Sequence, residues 1–162
     1  MNFTKNSVSC KDALSLVLAI VENVFNEIKS EDIENELNYP LFKSELIASL
    51  DFLVEELKNS ESSYVNSKKE EIEKFGIKRI RIVLLLREML KKNDPEINQS
   101  IIDCKIIQEA FQLIFKFPWN NQLHCIIEEI FLVLIKNNNE NMLKQVRNNE
   151  ESSSIFLRFL KI

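Results

Sequence analysis

His124 is the only histidine of the chain, and it stands beside Cys125 and four residues before Glu128. A Cys–His pair is the raw material of a thiolate nucleophile. A His and a Glu one helical turn apart are the raw material of a metal site. The spacing argues against both. Adjacent helical residues project about 100° apart, so His124 and Cys125 are poorly placed as a dyad. Two ligands do not make a zinc site, and no CxxC motif supplies more. His124 therefore reads as a hydrogen-bonded structural histidine near a helix corner.

Six further residues, in three groups, could act on a partner. Lys78, Arg79 and Arg81 form the densest basic spot. They either pair with acids of the preceding turn, such as Glu71 and Glu73, or meet acidic groups on another protein. Trp119 follows Pro118 between two helical patterns. It reads as a core anchor setting the angle between those helices, with a partner hot spot as the other reading. Asn120 and Asn121 open the second pattern. One should cap it, and the other could offer an amide donor and acceptor to a peptide backbone. No Gly-rich phosphate loop, GxSxG or HExxH occurs, and the carboxylates lie among lysines. The expectation is a chain that is not an enzyme and holds no cofactor and no metal.

Composition narrows the rest. The 162 residues suffice for one domain with a real core. With 45% hydrophobic and 28% charged residues the balance is that of a soluble globular chain. One glycine and three prolines are too few for a β-rich or dinucleotide-binding fold, and they favour an all-α one. A net charge of −4 argues against a nucleic-acid partner. Cys10, Cys104 and Cys125 are odd in number and widely spaced, as suits reduced thiols in the cytoplasm, with the nucleus also open to the chain. The apolar run from Ala13 to Val21 lacks a basic leader and is too short to span a bilayer, so no membrane role is expected.

Helical patterns must position these residues. The first starts near Ser9 and carries Leu14, Val17, Leu18, Val21, Phe25 and Ile28 on one face. A short one from Ser30 carries Ile33 and Leu37 and should break at Asn38-Tyr39-Pro40. Leu41 to Lys58 reads as one helix with Phe42, Leu46, Leu50, Leu53 and Leu57 inward. Lys58 to Lys69 reads as a polar loop whose serines, Ser60, Ser62, Ser63 and Ser67, could accept phosphate. A helix over 70–91, interrupted near Gly76, is apolar nearly all round from Ile82 to Leu86 and should be buried on several sides. Asp94-Pro95-Glu96 is a clean helix start. Helices follow over 95–103, 105–116 and 121–136. After a turn at Asn137-Asn138-Asn139 come helices carrying Met142, Leu143 and Val146, and then Ile155, Phe156 and Phe159.

The pattern repeats. A shift of 45 residues lays Leu90 on Ile135, Ile97 on Met142, Ile101 on Val146 and Asn93-Asp94 on Asn138-Asn139. A third, looser copy precedes the polar loop. A helical period in the forties is that of armadillo or HEAT units, which stack because none buries its own apolar face. The expected architecture is a right-handed helical solenoid of two to three repeats over 1–162.

From Phe75 to Ile135 the chain resembles the SAPS-domain family, the regulatory subunits of protein phosphatase 6-type Ser/Thr phosphatases. Phe75-Gly76 leading to Arg79, Arg81-Ile82-Val83 looks like the family's FG…RLRIV. Leu85 to Asn98 follows its LL…NP…N. Phe115-Lys116-Phe117-Pro118-Trp119-Asn120-Asn121, Leu123 and His124 look like its FF-x-[YF]-P-x-N-N-x-L-H. Cys104 stands where a glycine commonly sits, and family members carry a helical domain several times longer, so a fragment or a shortened relative is expected. The resemblance implies a non-catalytic regulatory subunit in the cytoplasm. It would bind a phosphatase 6-type catalytic subunit, and its substrates through it, with Arg79, Arg81, Trp119, Asn120, Asn121 and His124 as candidate contacts. The competing reading is an unrelated helical-repeat adaptor for a peptide or helix of another protein.

Overall fold

The computed structural model describes residues 16–21, 23, 38–59 and 63–147. Residues 16–21 are helical and bury Leu18 and Val21, while the expected short helix from Ser30 and the last one around Phe156 lie outside the described residues. The described elements run α1 (Asn38–Ala48), α2 (Leu50–Lys58), β1 (Ser63–Val65), β2 (Glu71–Glu73), α3 (Ile77–Lys92), α4 (Pro95–Cys104), α5 (Ile106–Lys116), α6 (Asn121–Lys136) and α7 (Glu140–Arg147). The chain is mostly helical, as composition requires.

Three boundaries differ from the sequence reading. Asn38-Tyr39-Pro40 starts a helix instead of breaking one. Proline is tolerated there because the amides of a first turn have no intrahelical partner. The helix expected over 41–58 is divided at Ser49, whose hydroxyl donates to the Leu46 carbonyl at 2.7 Å, a back-bond that bends helices. The largest difference lies at 58–76. In place of a loop followed by helix there is an antiparallel hairpin with Tyr64 paired to Ile72. Asn66 builds its turn. The side-chain oxygen accepts from the Lys68 and Glu70 amides, both at 2.9 Å, and Lys69 takes positive φ. Gly76, at φ 75 and ψ 151, then occupies a region open essentially to glycine alone and delays the helix to Ile77.

The two copies of the sequence repeat have matching turns. Asn93 and Asn138 both adopt positive φ, at 56° and 51°. The following residue caps a helix in each case. Asp94 accepts from Glu96 and Ile97 amides at 2.9 and 3.2 Å, and Asn139 from the Met142 amide at 3.3 Å. Ile97 and Met142 are buried, as are Ile101 and Val146.

Helices at equivalent places pack on one another: α1 on α4, α2 on α5, α3 on α6 and α4 on α7. A polar contact pins each pair. Lys43 Nζ lies 2.6 Å from Glu96, Lys58 Nζ 3.2 Å from Glu109, and Arg87 Nη1 2.8 Å from Glu129, and Gln145 donates to the Ile102 carbonyl at 2.6 Å. Helices α3 and α6 run parallel, since Phe75 meets Phe117 before their first turns and Asn137 donates to the Leu90 carbonyl after their last, at 2.9 Å. The hairpin is the irregularity: α2 and α3 are joined by 59–76, whereas α5 and α6 are joined by 117–120. The core is continuous. Ile82, Val83, Leu85 and Leu86 of α3 are all buried, held between α2, α4 and α6 as their unbroken apolar run requires.

Two substitutions test the turns by urea unfolding. Asp94→Ala should lower stability by about 1–2 kcal/mol, because it removes the cap and the Tyr39 hydroxyl's acceptor together. Lys105, not Cys104, is the left-handed residue between α4 and α5, at φ 58. Lys105→Gly should raise stability by about 0.5–1 kcal/mol, the relief of left-handed strain less the added freedom of the unfolded chain.

Candidate functional site

The hairpin is held in place by Arg79. This residue is only 1% exposed. Its Nη2 donates to the carbonyls of Lys58 and Asn59 at 3.1 and 2.8 Å, closing the end of α2. Its Nη1 lies 2.6 Å from Glu73 Oε1, at the end of β2, and its guanidinium carbon lies 5.4 Å from the Phe117 ring centroid. One side chain thus joins α2, the hairpin, α3 and the α5–α6 corner. Lys116 Nζ, 2.5 Å from the other Glu73 oxygen, completes the triad. Burial pushes the Glu73 carboxyl up, but pairing with Lys116 and Arg79 outweighs this and holds it below the ordinary glutamate range.

Above this triad lies an open cleft of about 570 Å³ between the hairpin and the corner, lined among others by Tyr64, Ile72, Lys74, Phe117 and Trp119. Phe75 and Phe117 meet edge to face at 5.1 Å and form its base. Trp119 is 93% exposed. The expectation of a core anchor fails, and the reason is local. The Asn120 amide donates to the Phe117 carbonyl at 3.1 Å, making a four-residue turn. Phe117, at its first position, packs inward, and Trp119, at its third, is thrown out. An isolated exposed leucine needs no explanation, but a nearly bare tryptophan beside half-exposed Tyr64 and Ile72 is a patch.

The other candidates separate. Of the two asparagines Asn120 is the cap, accepting from the Leu123 amide at 3.0 Å, and Asn121 is exposed in the first turn of α6. Both line the cleft with Trp119. Arg79 is inside the fold, with no face open to a partner. Arg81, half-buried one turn further from the cleft, makes no ion pair with Glu71 or Glu73, and its Nε is buried without an acceptor among the described residues. Lys78 pairs with Glu56 of α2. His124 is half-buried, and its Nε2 finds no hydrogen-bond partner among the described residues. Cys125 beside it is exposed, so the two point to different surroundings. Sequence reasoning passed over Tyr64, Ile72 and Lys74. The signal was the alternation in Ser63-Tyr64-Val65 and Glu71-Ile72-Glu73 around an Asn-led turn.

Among the described residues, no group of three or more His, Cys, Asp or Glu could hold a metal ion. Burial pushes the Cys104 thiol above its ordinary range, away from nucleophilic use. No described helix is long and apolar enough to cross a membrane. What the described residues offer is a rigid stack of helices bearing apolar surface and fixed charge at one corner.

Proteins of known role share part of this chain. It is 32% identical over 53 residues to the serine/threonine-protein phosphatase 6 regulatory subunit 3 of Gallus gallus, covering 33% of the chain. It is 33% identical over 60 residues, 37% of the chain, to the serine/threonine-protein phosphatase 6 regulatory subunit 3-A of Xenopus laevis. The chain spans only 6% and 7% of the length of these relatives. No family model and no solved structure matches it.

Two stability measurements distinguish lock from surface. Arg79→Met should cost about 3–5 kcal/mol, since it strands a carboxylate and two carbonyls, whereas Trp119→Ala should stay within about 0.5 kcal/mol. A tryptophan anchoring a core would cost about 3–5 kcal/mol instead. The Glu73 carboxyl has a lower pKa folded than unfolded, so its contribution is full above the ordinary value of 4.5 and fades as pH falls through the folded one. Glu73→Gln should therefore flatten the dependence of unfolding free energy on pH below that value.

Proposed function

We propose that this chain is part of a non-catalytic regulatory scaffold for a type 2A-like, phosphatase 6-type Ser/Thr phosphatase. In this reading it docks the catalytic subunit, and through it the substrates, on a stack of armadillo-like units. The observation that carries the reading is the likeness to phosphatase 6 regulatory subunits, which falls on a chain whose equivalent helices pack unit on unit. Supporting it, α1, α2 and α3 pack on α4, α5 and α6 in the same order, and α4 packs on α7, a pattern that stacked units of a right-handed solenoid would give. The helices hold side chains at fixed spacing, and the partner supplies the chemistry. Trp119, Asn120 and Asn121 at the α5–α6 corner are the proposed contacts, with Arg81 and His124 flanking them. Arg79 acts by holding that corner together. The chain would work in the cytoplasm, with the nucleus as a second compartment.

The test is affinity capture of the tagged chain from cells, with type 2A-like catalytic subunits identified by mass spectrometry. Preferential recovery of the phosphatase 6-type subunit is expected. Trp119→Ala should lower it about tenfold, with the helical circular dichroism unchanged. Recovery of unrelated proteins alone, from a folded chain, would favour a helical-repeat adaptor with another partner.

A further inference from the structure

We infer that the cleft beneath Trp119 accepts an extended peptide segment in which an apolar or aromatic side chain sits next to acidic residues. This rests on reading the α5–α6 corner as a docking surface, and it adds the chemistry of what docks. The apolar half of the argument is exposure. Trp119 at 93%, Tyr64 at 47% and Ile72 at 36% line one cleft and leave their surfaces to water. Trp and Tyr are the residues that gain most when such a surface is covered. A cleft of about 570 Å³ suits a few side chains of a strand, not a folded domain.

The charged half follows from which cations are already used. Among the described residues Glu73 is the one carboxylate lining the cleft, and Arg79 and Lys116 both pair with it. Lys74 is different. Its Nζ lies 5.7 Å from the Tyr64 ring centroid, and it makes no ion pair among the described residues. The cleft thus carries a surplus cation beside its aromatic wall, on a chain whose net charge is −4. A segment bringing its own carboxylate beside an apolar anchor matches both features. A basic segment meets Lys74 and Lys116 with like charge and is rejected.

Selection of displayed 12-residue peptides on the full chain tests this, because Trp119 is the only tryptophan and its emission reports the cleft directly. The selected peptides should place Asp or Glu beside Leu, Phe or Trp. Synthetic tryptophan-free copies should shift the emission to the blue. Lys74→Glu should weaken them about tenfold, and reversing the peptide's acids to lysine should restore binding to that variant. Selection of basic peptides, selection of none, or affinities unmoved by Lys74→Glu and Trp119→Ala would overturn the inference. So would a concentration-dependent blue shift of the chain alone with a dimer by sedimentation, which would make a second copy the occupant. Failure of the phosphatase reading looks different: acidic peptides would still bind, while capture from cells would recover no phosphatase subunit.

Discussion

Burying a guanidinium costs several kcal/mol unless its donors find acceptors and its charge finds a counter-charge. Arg79 meets that demand by drawing in the carbonyls that end α2, the carboxylate that ends β2 and the face of Phe117, leaving only its Nε unpaired. The constraint runs both ways. The hairpin has too little buried surface to hold its own place, since every residue of β1 is exposed and only Glu73 of β2 is partly covered. It is the arginine that fixes where the strands lie against the helices. The cleft exists because of that placement, as its two walls are the hairpin and the corner that Arg79 joins.

This arrangement separates the buried tie from the exposed surface. The tie lies beneath the cleft, in a triad of Arg79, Glu73 and Lys116 whose charges satisfy one another. Among the described residues the surface above has few internal duties: Trp119 is nearly bare, and Lys74 makes no ion pair. The helices behind them are pinned pair by pair through Lys43, Lys58, Arg87 and Gln145. Exposed pairs of this kind add little stability each, and their part is to set the register between helices that the apolar core already holds together.

Much of the helical framework was legible in the residues themselves. The caps at Asp94 and Asn120, the buried run from Ile82 to Leu86 and the 45-residue repeat are local or periodic properties, and a helix registers both through its own turn. Even the repeat's paired turns are written locally, because asparagine tolerates positive φ and Asp or Asn caps the next helix. The errors arose where a local pattern was ambiguous. Ser63 to Glu73 is polar enough to pass for a loop, and its strands are only three residues long.

What this sequence determined alone is therefore the helical class, most element types and the matching turns at Asn93 and Asn138, since each follows from chemistry within about one turn of chain. Only the tertiary structure decided which cation is buried and which aromatic is bare. Arg79 and Arg81 look alike in sequence, and Trp119 looks more like core than Phe117 does. Arg79 is buried because the end of α2, the hairpin and the α5–α6 corner meet around it, and Trp119 is bare because the turn that holds it gives the inward place to Phe117, which packs on Phe75; burial is a property of the neighbours the fold assembles, not of the residue itself.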